Sequence, residues 1–315
     1  MPKTLIIKNK IKKFNKQIQV SGDKSLSIRW VLLASQAIGK SKGYNLLMSE
    51  DVLAAIDSIK KLGIKVKIQK NYCEIVGNGI SGFKYKKNLT INAKNSGTLS
   101  RLILGLLIKS PKKIKIIGDK SLSKRDFSRI TTPLAKFGVK FSYKIKDKLP
   151  LTILGTQSAQ GIKYLENRGS AQCKSSIMLA ALNASGTTSI KAKKSRNHSE
   201  LLFKYLKIPI KVRKTKKFDF IDIKRPKKIN AFNYQIPGDI SSSAFFIILT
   251  TLAKDSKLLI RNVNINPSRI GVITILKKMG AKITLKNQKN YRGEKISDIL
   301  IKSSEKLKAI NCPTE

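Results

Sequence analysis

Four short segments rich in glycine, serine and lysine each run directly into an apolar stretch long enough to form a helix. We call them knuckle segments; they cover residues 21–29, 95–101, 169–176 and 237–243. Arg29 and Arg101 lie 72 residues apart, and Ser25 and Ser241 lie 216 apart, which is three such intervals. The third segment departs from this 72-residue spacing by a few residues. Similarity at a fixed period predicts a fold built from repeated modules.

The position of the knuckle segments also has a chemical meaning. The N-terminus of a helix presents unpaired N–H groups and a partial positive charge, and both attract anions. If the modules stack so that these helix ends converge, they form a pocket. The sequence therefore predicts a site for a substrate with several negative charges.

Between the knuckle segments, each interval reads as an α/β module of about 70 residues. Helical spacing of apolar residues predicts outer helices at 51–62, 127–137, 198–206 and 270–279, the second and fourth closed by Gly138 and Gly280. Alternation predicts strands at 5–7, 18–20, 64–69, 72–76, 114–117, 139–145, 187–190, 208–212, 258–261 and 281–285. Modules of this size bury a shared core only by packing on one another.

Composition narrows the class of protein. The 315 residues are 41% apolar, which is enough for two domains with real cores. No apolar run approaches the roughly 20 residues that span a bilayer, and the first 20 residues lack a secretion signal. Cys73, Cys173 and Cys312 include no close pair, which argues against disulfides and zinc. We expect a soluble cytoplasmic protein.

The net charge of +47 has two interpretations. One is nucleic-acid binding through a basic stripe. The other is a composition in which lysine fills most solvent positions, and we favour it because the 65 basic residues are scattered along the chain. The densest cluster, 211–217, is predicted to be the edge of a hairpin before Phe218. Either way, the charge attracts small anions.

Seven motifs in a fixed order resemble those of one enzyme family. They are 22–29, 95–98 with Arg101, 118–122 with Arg125, 169–172, 195–198, 237–242, and 264–269 followed by 277–281. In this order and spacing the chain resembles the 5-enolpyruvylshikimate-3-phosphate (EPSP) synthases, from the first knuckle segment to its end. The closest enzyme alternative is the related UDP-N-acetylglucosamine enolpyruvyl transferase family. Its members have Lys-Asn-Ala where this chain has Asp23, Lys24 and Ser25, and usually have a reactive cysteine in a loop.

The resemblance implies an α/β (α+β), two-domain enolpyruvyl transferase fold built from repeated βαβαββ modules. Residues 21–237 would form a complete three-module domain. Residues 1–20 and 238–315 would form an incomplete second domain, made of the N-terminal strand and about one module. The family's acid/base aspartate would follow Glu315, so we expect this chain alone to be weak or inactive. Glu305 and Glu315 receive no catalytic role.

The resemblance also implies the roles of individual residues. Lys24 would touch both substrates and serve in catalysis. Shikimate-3-phosphate would be bound by Lys24, Ser25, Arg29, Ser170, Ala171, Gln172 and Ser195, with Ser25 and Arg29 on its carboxylate. Phosphoenolpyruvate would be bound by Lys24, Gly97, Arg125 and Gln172. Residues 118–123 repeat 22–27 letter for letter but lie off the 72-residue grid, so Lys120 is not given the role of Lys24.

The implied reaction transfers the enolpyruvyl group of phosphoenolpyruvate to the 5-hydroxyl of shikimate-3-phosphate, in the shikimate pathway to aromatic amino acids. It needs neither cofactor nor metal, and the protein would be a monomer without a membrane or a specific nucleic-acid partner. A nucleic-acid-binding protein remains the alternative from another class. It predicts aromatic residues interleaved with lysine and arginine, whereas aromatic residues make up only 6% of this chain.

Overall fold

The computed structural model describes Ile6 and residues 11–312, and these contain sixteen strands and nine helices. In chain order they are β1 (Asn15–Ile18), α1 (Lys24–Ser35), β2 (Ile38–Tyr44), α2 (Glu50–Lys61), β3 (Lys65–Ile68), β4 (Tyr72–Asn78), β5 (Leu89–Asn92), α3 (Gly97–Leu106), β6 (Ile114–Ile117), α4 (Lys120–Ser123), α5 (Ser128–Ala135), β7 (Lys140–Tyr143), β8 (Leu151–Leu154), β9 (Lys163–Glu166), α6 (Ala171–Ala181), β10 (Thr187–Lys193), α7 (His198–Tyr205), β11 (Ile210–Lys214), β12 (Phe218–Lys224), β13 (Tyr234–Gln235), α8 (Ile240–Leu252), β14 (Lys257–Asn264), α9 (Gly271–Lys278), β15 (Lys282–Tyr291) and β16 (Glu294–Lys302).

The chain forms two compact units. One is Gly22–Ile236, and the other combines Met1–Ser21 with Pro237–Glu315. The first unit holds three four-stranded sheets, with the orders β13-β2-β4-β3, β5-β6-β8-β7 and β11-β12-β10-β9. The second unit holds a fourth sheet, β1-β14-β16-β15.

All four sheets share one topology. A parallel pair is extended by two antiparallel strands, so that each module reads strand, helix, strand, helix, strand, strand. In two modules the first strand comes from far away in the sequence: β13 pairs with β2, and β1 pairs with β14. The repeated α/β modules expected from the 72-residue period are therefore present.

Each knuckle segment contains the N-cap and the first turn of a helix. The helices α1, α3, α6 and α8 begin inside these segments because a polar side chain just before each helix accepts a hydrogen bond from the first turn. The four acceptors and donors are Asp23 Oδ1 with Leu26 N (2.9 Å), Ser96 Oγ with Leu99 N (3.2 Å), Ser170 Oγ with Cys173 N (3.2 Å) and Asp239 Oδ1 with Ser241 N (2.7 Å). The sequence predicts a helix from Trp30, whereas α1 starts at Lys24.

The outer helices α2, α5, α7 and α9 lie within one or two residues of their expected bounds. Gly138 and Gly280 follow two of them with φ of 94° and 100°, a left-handed conformation that favours glycine. The basic cluster at 211–217 is a hairpin edge, as predicted, because β11 lies at the edge of its sheet and pairs with β12. The predicted strand at 5–7 lies largely outside the described residues, and the one at 18–20 ends at Ile18.

The knuckle helices form much of the core of the unit Gly22–Ile236. In α1 all residues from Leu26 to the end of the helix are buried, and α3 and α6 are buried over almost their whole length. In the other unit, one face of α8 packs on β14 and β16 through Ile240, Ile247 and Ile260. Within residues 11–312, no helix is both long enough and apolar enough to cross a bilayer.

Candidate active site

The N-terminal turns of α1, α3 and α6 converge on one cavity of about 320 Å³. Its lining is polar and comes from α1, α3 and α6 and from the segments beside them. The lining residues are Lys24, Ser25, Arg29, Asp51, Asn95, Gly97, Thr98, Arg125, Ala171, Gln172 and Arg196. Seven of the nine residues selected from the sequence are among them. The convergence of helix N-termini that the repeat predicted is therefore present for three helices.

The cavity is strongly cationic. Lys24, Arg29, Arg125 and Arg196 line it, whereas Asp51 is the only carboxylate among its described lining residues. Asp51 lies in the first turn of α2, and its Oδ2 is 3.5 Å from Lys24 Nζ. Three helix N-termini add their partial positive charges to this set. The arrangement can hold a ligand with several negative charges.

Arg29 forms part of the floor of the cavity and is only 5% exposed. Its Nε donates to Ser199 Oγ (2.8 Å), its Nη2 to Ser175 Oγ (2.9 Å) and its Nη1 to the carbonyl of Ser25 (3.0 Å). A guanidinium group held at all three nitrogens has a fixed plane. It can therefore present a planar, two-pronged donor to a carboxylate.

Gly97 begins α3 beside two guanidinium groups. A Cβ atom at this position would lie 2.9 Å from Arg125 Nη1 and 3.3 Å from Arg101 Nη1. The absence of a side chain is therefore what lets Arg125 lie against the first turn of the helix. Arg125 itself is exposed along one side, so its charge is available to the cavity.

Gln172 is held between α3 and α6. Its Nε2 donates to Thr98 Oγ1 (3.0 Å), and its Oε1 accepts a short hydrogen bond from Arg101 Nη1. Burial lowers the pKa of Arg101, and the nearby charges of Arg129 and Arg125 lower it further. The Gln172 amide thus has a defined orientation where it lines the cavity.

Two of the selected residues do not line the cavity. The hydroxyl of Ser170 caps α6 and accepts from Cys173 N, which is the ordinary role of a serine at this position. The hydroxyl of Ser195 is buried and has no hydrogen-bond partner among the described residues. Its neighbour Arg196 lines the cavity instead, although we had assigned it no role.

Sequence reasoning also missed Asp51, Asn95 and Thr98. Asn95 and Thr98 lie inside the motif at 95–98. The motif therefore indicated that they are near the site, but it did not indicate that their side chains line the cavity. Asp51 lies outside every knuckle segment, and only the packing of α2 against α1 brings it to Lys24. Arg196 was signalled in the same way as Asn95, by a motif that covers residues 195–198.

The duplicate of the first knuckle segment has the same local structure but another place. Asp119 caps the short helix α4 through Leu122 N (2.7 Å), as Asp23 caps α1. Hydrogen bonds from the Asn95 side chain and the Leu122 backbone lower the pKa of Asp119. Lys120 is exposed and, unlike Lys24, is not among the residues that line the cavity.

The fourth knuckle segment, in the other unit, has its own polar arrangement. Arg269 Nη2 donates to Asp239 Oδ1 (3.1 Å) and to Ser241 Oγ (2.7 Å) at the start of α8. Both side chains of the Arg269–Asp239 pair are almost wholly buried. Among the described residues of the whole chain, no group of three or more His, Cys, Asp or Glu side chains is placed to hold a metal ion.

Comparison with known proteins identifies the family. The sequence profile of EPSP synthase (3-phosphoshikimate 1-carboxyvinyltransferase) matches residues 8–314. The chain is 38% identical over 304 residues to the 3-phosphoshikimate 1-carboxyvinyltransferase of Petrotoga mobilis, covering 96% of this chain and 69% of the relative. It is 41% identical over 300 residues to the enzyme of that name from Ruthia magnifica, covering 95% of this chain and 67% of the relative.

A solved structure agrees with these sequence matches. The EPSP synthase of Acinetobacter baumannii superposes with a TM-score of 0.86 at 35% identity, over 96% of this chain and 68% of that one. The family match, the identities and the shared fold of repeated modules lead to one conclusion. The chain belongs to the EPSP synthase (3-phosphoshikimate 1-carboxyvinyltransferase) family.

Proposed function

We propose that the cavity at the ends of α1, α3 and α6 binds shikimate-3-phosphate and phosphoenolpyruvate for the transfer of the enolpyruvyl group. The observation that carries the proposal is the combination of three helix N-termini with Lys24, Arg29, Arg125 and Arg196 around one cavity. Both substrates are polyanions that repel each other, so a site that brings them together must offset several negative charges. Neither a UDP-sugar enolpyruvyl transferase nor a nucleic-acid-binding protein is favoured by the family match.

The chemistry follows from the two substrates. The 5-hydroxyl oxygen adds to C2 of phosphoenolpyruvate while C3 gains a proton and the hydroxyl loses one. The resulting tetrahedral intermediate then loses a proton from C3 and expels phosphate from C2, which restores the double bond. Positioning of the two substrates and stabilisation of charge are what the residues that line the cavity can contribute to this reaction.

Each proposed role uses the chemistry of its residue. Lys24 places a cation beside the reacting hydroxyl and contacts both substrates. Arg29, with Ser25, binds the shikimate carboxylate, and Arg125 binds phosphoenolpyruvate beside Gly97. Gln172 lies over the shikimate ring. A charge-assisted hydrogen bond of this kind contributes about 1.5–3 kcal/mol.

The remaining residues are proposed to bind the phosphate group of shikimate-3-phosphate. Ser170, Ala171 and Ser195 stay the predicted residues around it. The buried, unpartnered hydroxyl of Ser195 supports its assignment, because buried polar groups are normally hydrogen-bonded. Arg196, which lines the cavity as Ala171 does, is added to this group. A monomeric state and a cytoplasmic location stay predictions.

The experiment is calorimetric titration of the chain with shikimate-3-phosphate. Lys24→Ala and Arg29→Ala should each weaken binding by roughly tenfold or more, because each removes a charge-assisted contact. Lys120→Ala is the matched control, because Lys120 lies in a segment of identical sequence and is not among the residues that line the cavity. The proposal fails if Lys24→Ala and Arg29→Ala bind like the unsubstituted chain, or if Lys120→Ala loses as much affinity as they do.

A further inference from the structure

Arg29 is positioned by two serine residues that come from other helices. Ser175 lies in α6 and Ser199 in α7, 146 and 170 residues from Arg29 in the sequence. Both hydroxyl groups are almost completely buried, and they also hydrogen-bond to each other at 2.7 Å. Nε and Nη2 of Arg29 therefore meet a preformed pair of oxygens and not two independent side chains.

The choice of hydroxyl groups matters for the charge of Arg29. A hydroxyl oxygen accepts from a guanidinium group but carries no net charge, so it fixes the group's plane without neutralising it. A carboxylate in the same place would bind the same edge more strongly and would repel an incoming substrate carboxylate. The serine pair thus orients Arg29 without itself neutralising the positive charge of the guanidinium group.

A buried ion pair lies beside the two serines. Lys174, one residue before Ser175, has its Nζ 2.6 Å from Oε1 of Glu200, one residue after Ser199. Lys174 is completely buried and Glu200 nearly so. The ion pair thus joins the residues adjacent to the two serines, one on α6 and one on α7. The two serine hydroxyl groups lie side by side next to it.

We propose that Ser175 and Ser199 are positioning residues that set the orientation of Arg29 and hence the affinity of the site for a substrate carboxylate. The inference rests on the proposed function, in which Arg29 binds the carboxylate of shikimate-3-phosphate. Neither serine lines the cavity, so their effect acts through Arg29. Loss of either one leaves a single hydroxyl for two guanidinium nitrogens and weakens the hold on the plane, which then depends more on the Ser25 carbonyl.

The test compares two ligands that differ only in the carboxylate. Shikimate-3-phosphate and its C1 methyl ester are titrated calorimetrically into the chain and into Ser175→Ala and Ser199→Ala. Each variant should bind the acid roughly tenfold more weakly and the ester with an affinity within about twofold of the unsubstituted chain. Ser199→Thr retains the hydroxyl, so it should keep most of the affinity for the acid that Ser199→Ala loses. Ser58→Ala, a buried serine on α2 that bonds only a backbone carbonyl, is the control for loss of a buried hydroxyl.

A double-mutant cycle with Arg29→Ala separates failure of the inference from failure of the proposed function. In the Arg29→Ala background the serine substitutions should cost no further affinity, because coupled residues are not additive. If Arg29→Ala does not weaken the acid, the assignment of Arg29 in the proposed function is wrong. If Arg29→Ala weakens the acid but the serine variants do not, or if they weaken acid and ester alike, the positioning role is overturned.

Discussion

At the scale of single residues, the site depends on Gly97 being a glycine. Gly97 has only a hydrogen where any other residue would place a carbon against Arg125 and Arg101. Guanidinium groups repel one another, and the lowered pKa of Arg101 records the effect of burial and of its cationic neighbours. An anion in the cavity relieves this repulsion. Cations so crowded are typical of a site that binds a negative ligand.

Gly97→Ala should therefore weaken binding of phosphoenolpyruvate without lowering stability. The new Cβ displaces the end of the flexible Arg125 side chain and not backbone, and alanine is about 0.8–1 kcal/mol better than glycine inside a helix. We expect roughly tenfold weaker binding, measured by titration, with an unchanged or higher melting temperature. Gly271→Ala is the control, because Gly271 also begins a helix but has open space around it. Equal loss in both variants would refute the steric argument.

At the scale of elements, helices with similar caps have different surroundings. The helices α1, α3 and α6 are buried on nearly all sides. The helix α8 has the same kind of N-cap and an even more apolar sequence, yet Phe245 is 77% exposed and Leu252 68% exposed. An apolar face of this size is unusual on the surface of a soluble protein. The cap decides where a helix begins, and packing alone decides which faces it buries.

The ion pair between α6 and α7 makes a prediction about stability. Glu200→Gln should destabilise the chain by about 3–5 kcal/mol, because it leaves the fully buried Lys174 ammonium without its counter-charge. The double variant Lys174→Met/Glu200→Leu should recover most of that loss. The measurement is the free energy of unfolding in urea.

The partly exposed pair Lys40–Glu74 supplies the control for this measurement. The Lys40 side chain is 61% exposed and the Glu74 side chain 15% exposed, and a pair that water reaches on one side is worth about 1 kcal/mol. Glu74→Gln should therefore cost much less than Glu200→Gln. Similar costs for the two substitutions would show that the Lys174–Glu200 pair does not act as a buried charge pair.

At the scale of the whole molecule, the chain has a net charge of +47, and its candidate site is itself cationic. Lysine is spread along the sequences of all four modules, so the excess charge is not confined to the site. A field of this sign concentrates anions near the protein and raises their association rates. It also disfavours the compact state through self-repulsion.

Ionic strength should change binding and stability in opposite directions. At 0.1 M salt the Debye length is about 10 Å, so added NaCl screens most of the surface field. The affinity for shikimate-3-phosphate should fall several-fold as salt rises toward 1 M, while the melting temperature should rise. Unphosphorylated shikimate, with a single charge, should show a much weaker salt dependence. Equal salt dependence for the two ligands would exclude a role for the net charge in binding.

What the sequence determined by itself is mostly local. Asp23 and Ser96 mark helix starts because a cap bonds a backbone group only three residues away. Gly138 marks a helix end for a similarly local reason, its positive φ. The 72-residue period indicated the repeated modules, and the motifs selected most of the residues that line the cavity.

What only the tertiary structure decided depends on contacts between distant residues. No neighbour in the sequence signals that Ser199 holds Arg29, that Asp51 reaches Lys24 or that β13 completes the first module. Nor does the sequence show that Ser170 is occupied in capping a helix, since a hydroxyl group suits a cap and a phosphate equally well. Local structure follows from groups within about one helical turn of each other. The partners of a buried charge or hydroxyl are fixed only when whole helices pack, and that packing is a property of the complete fold.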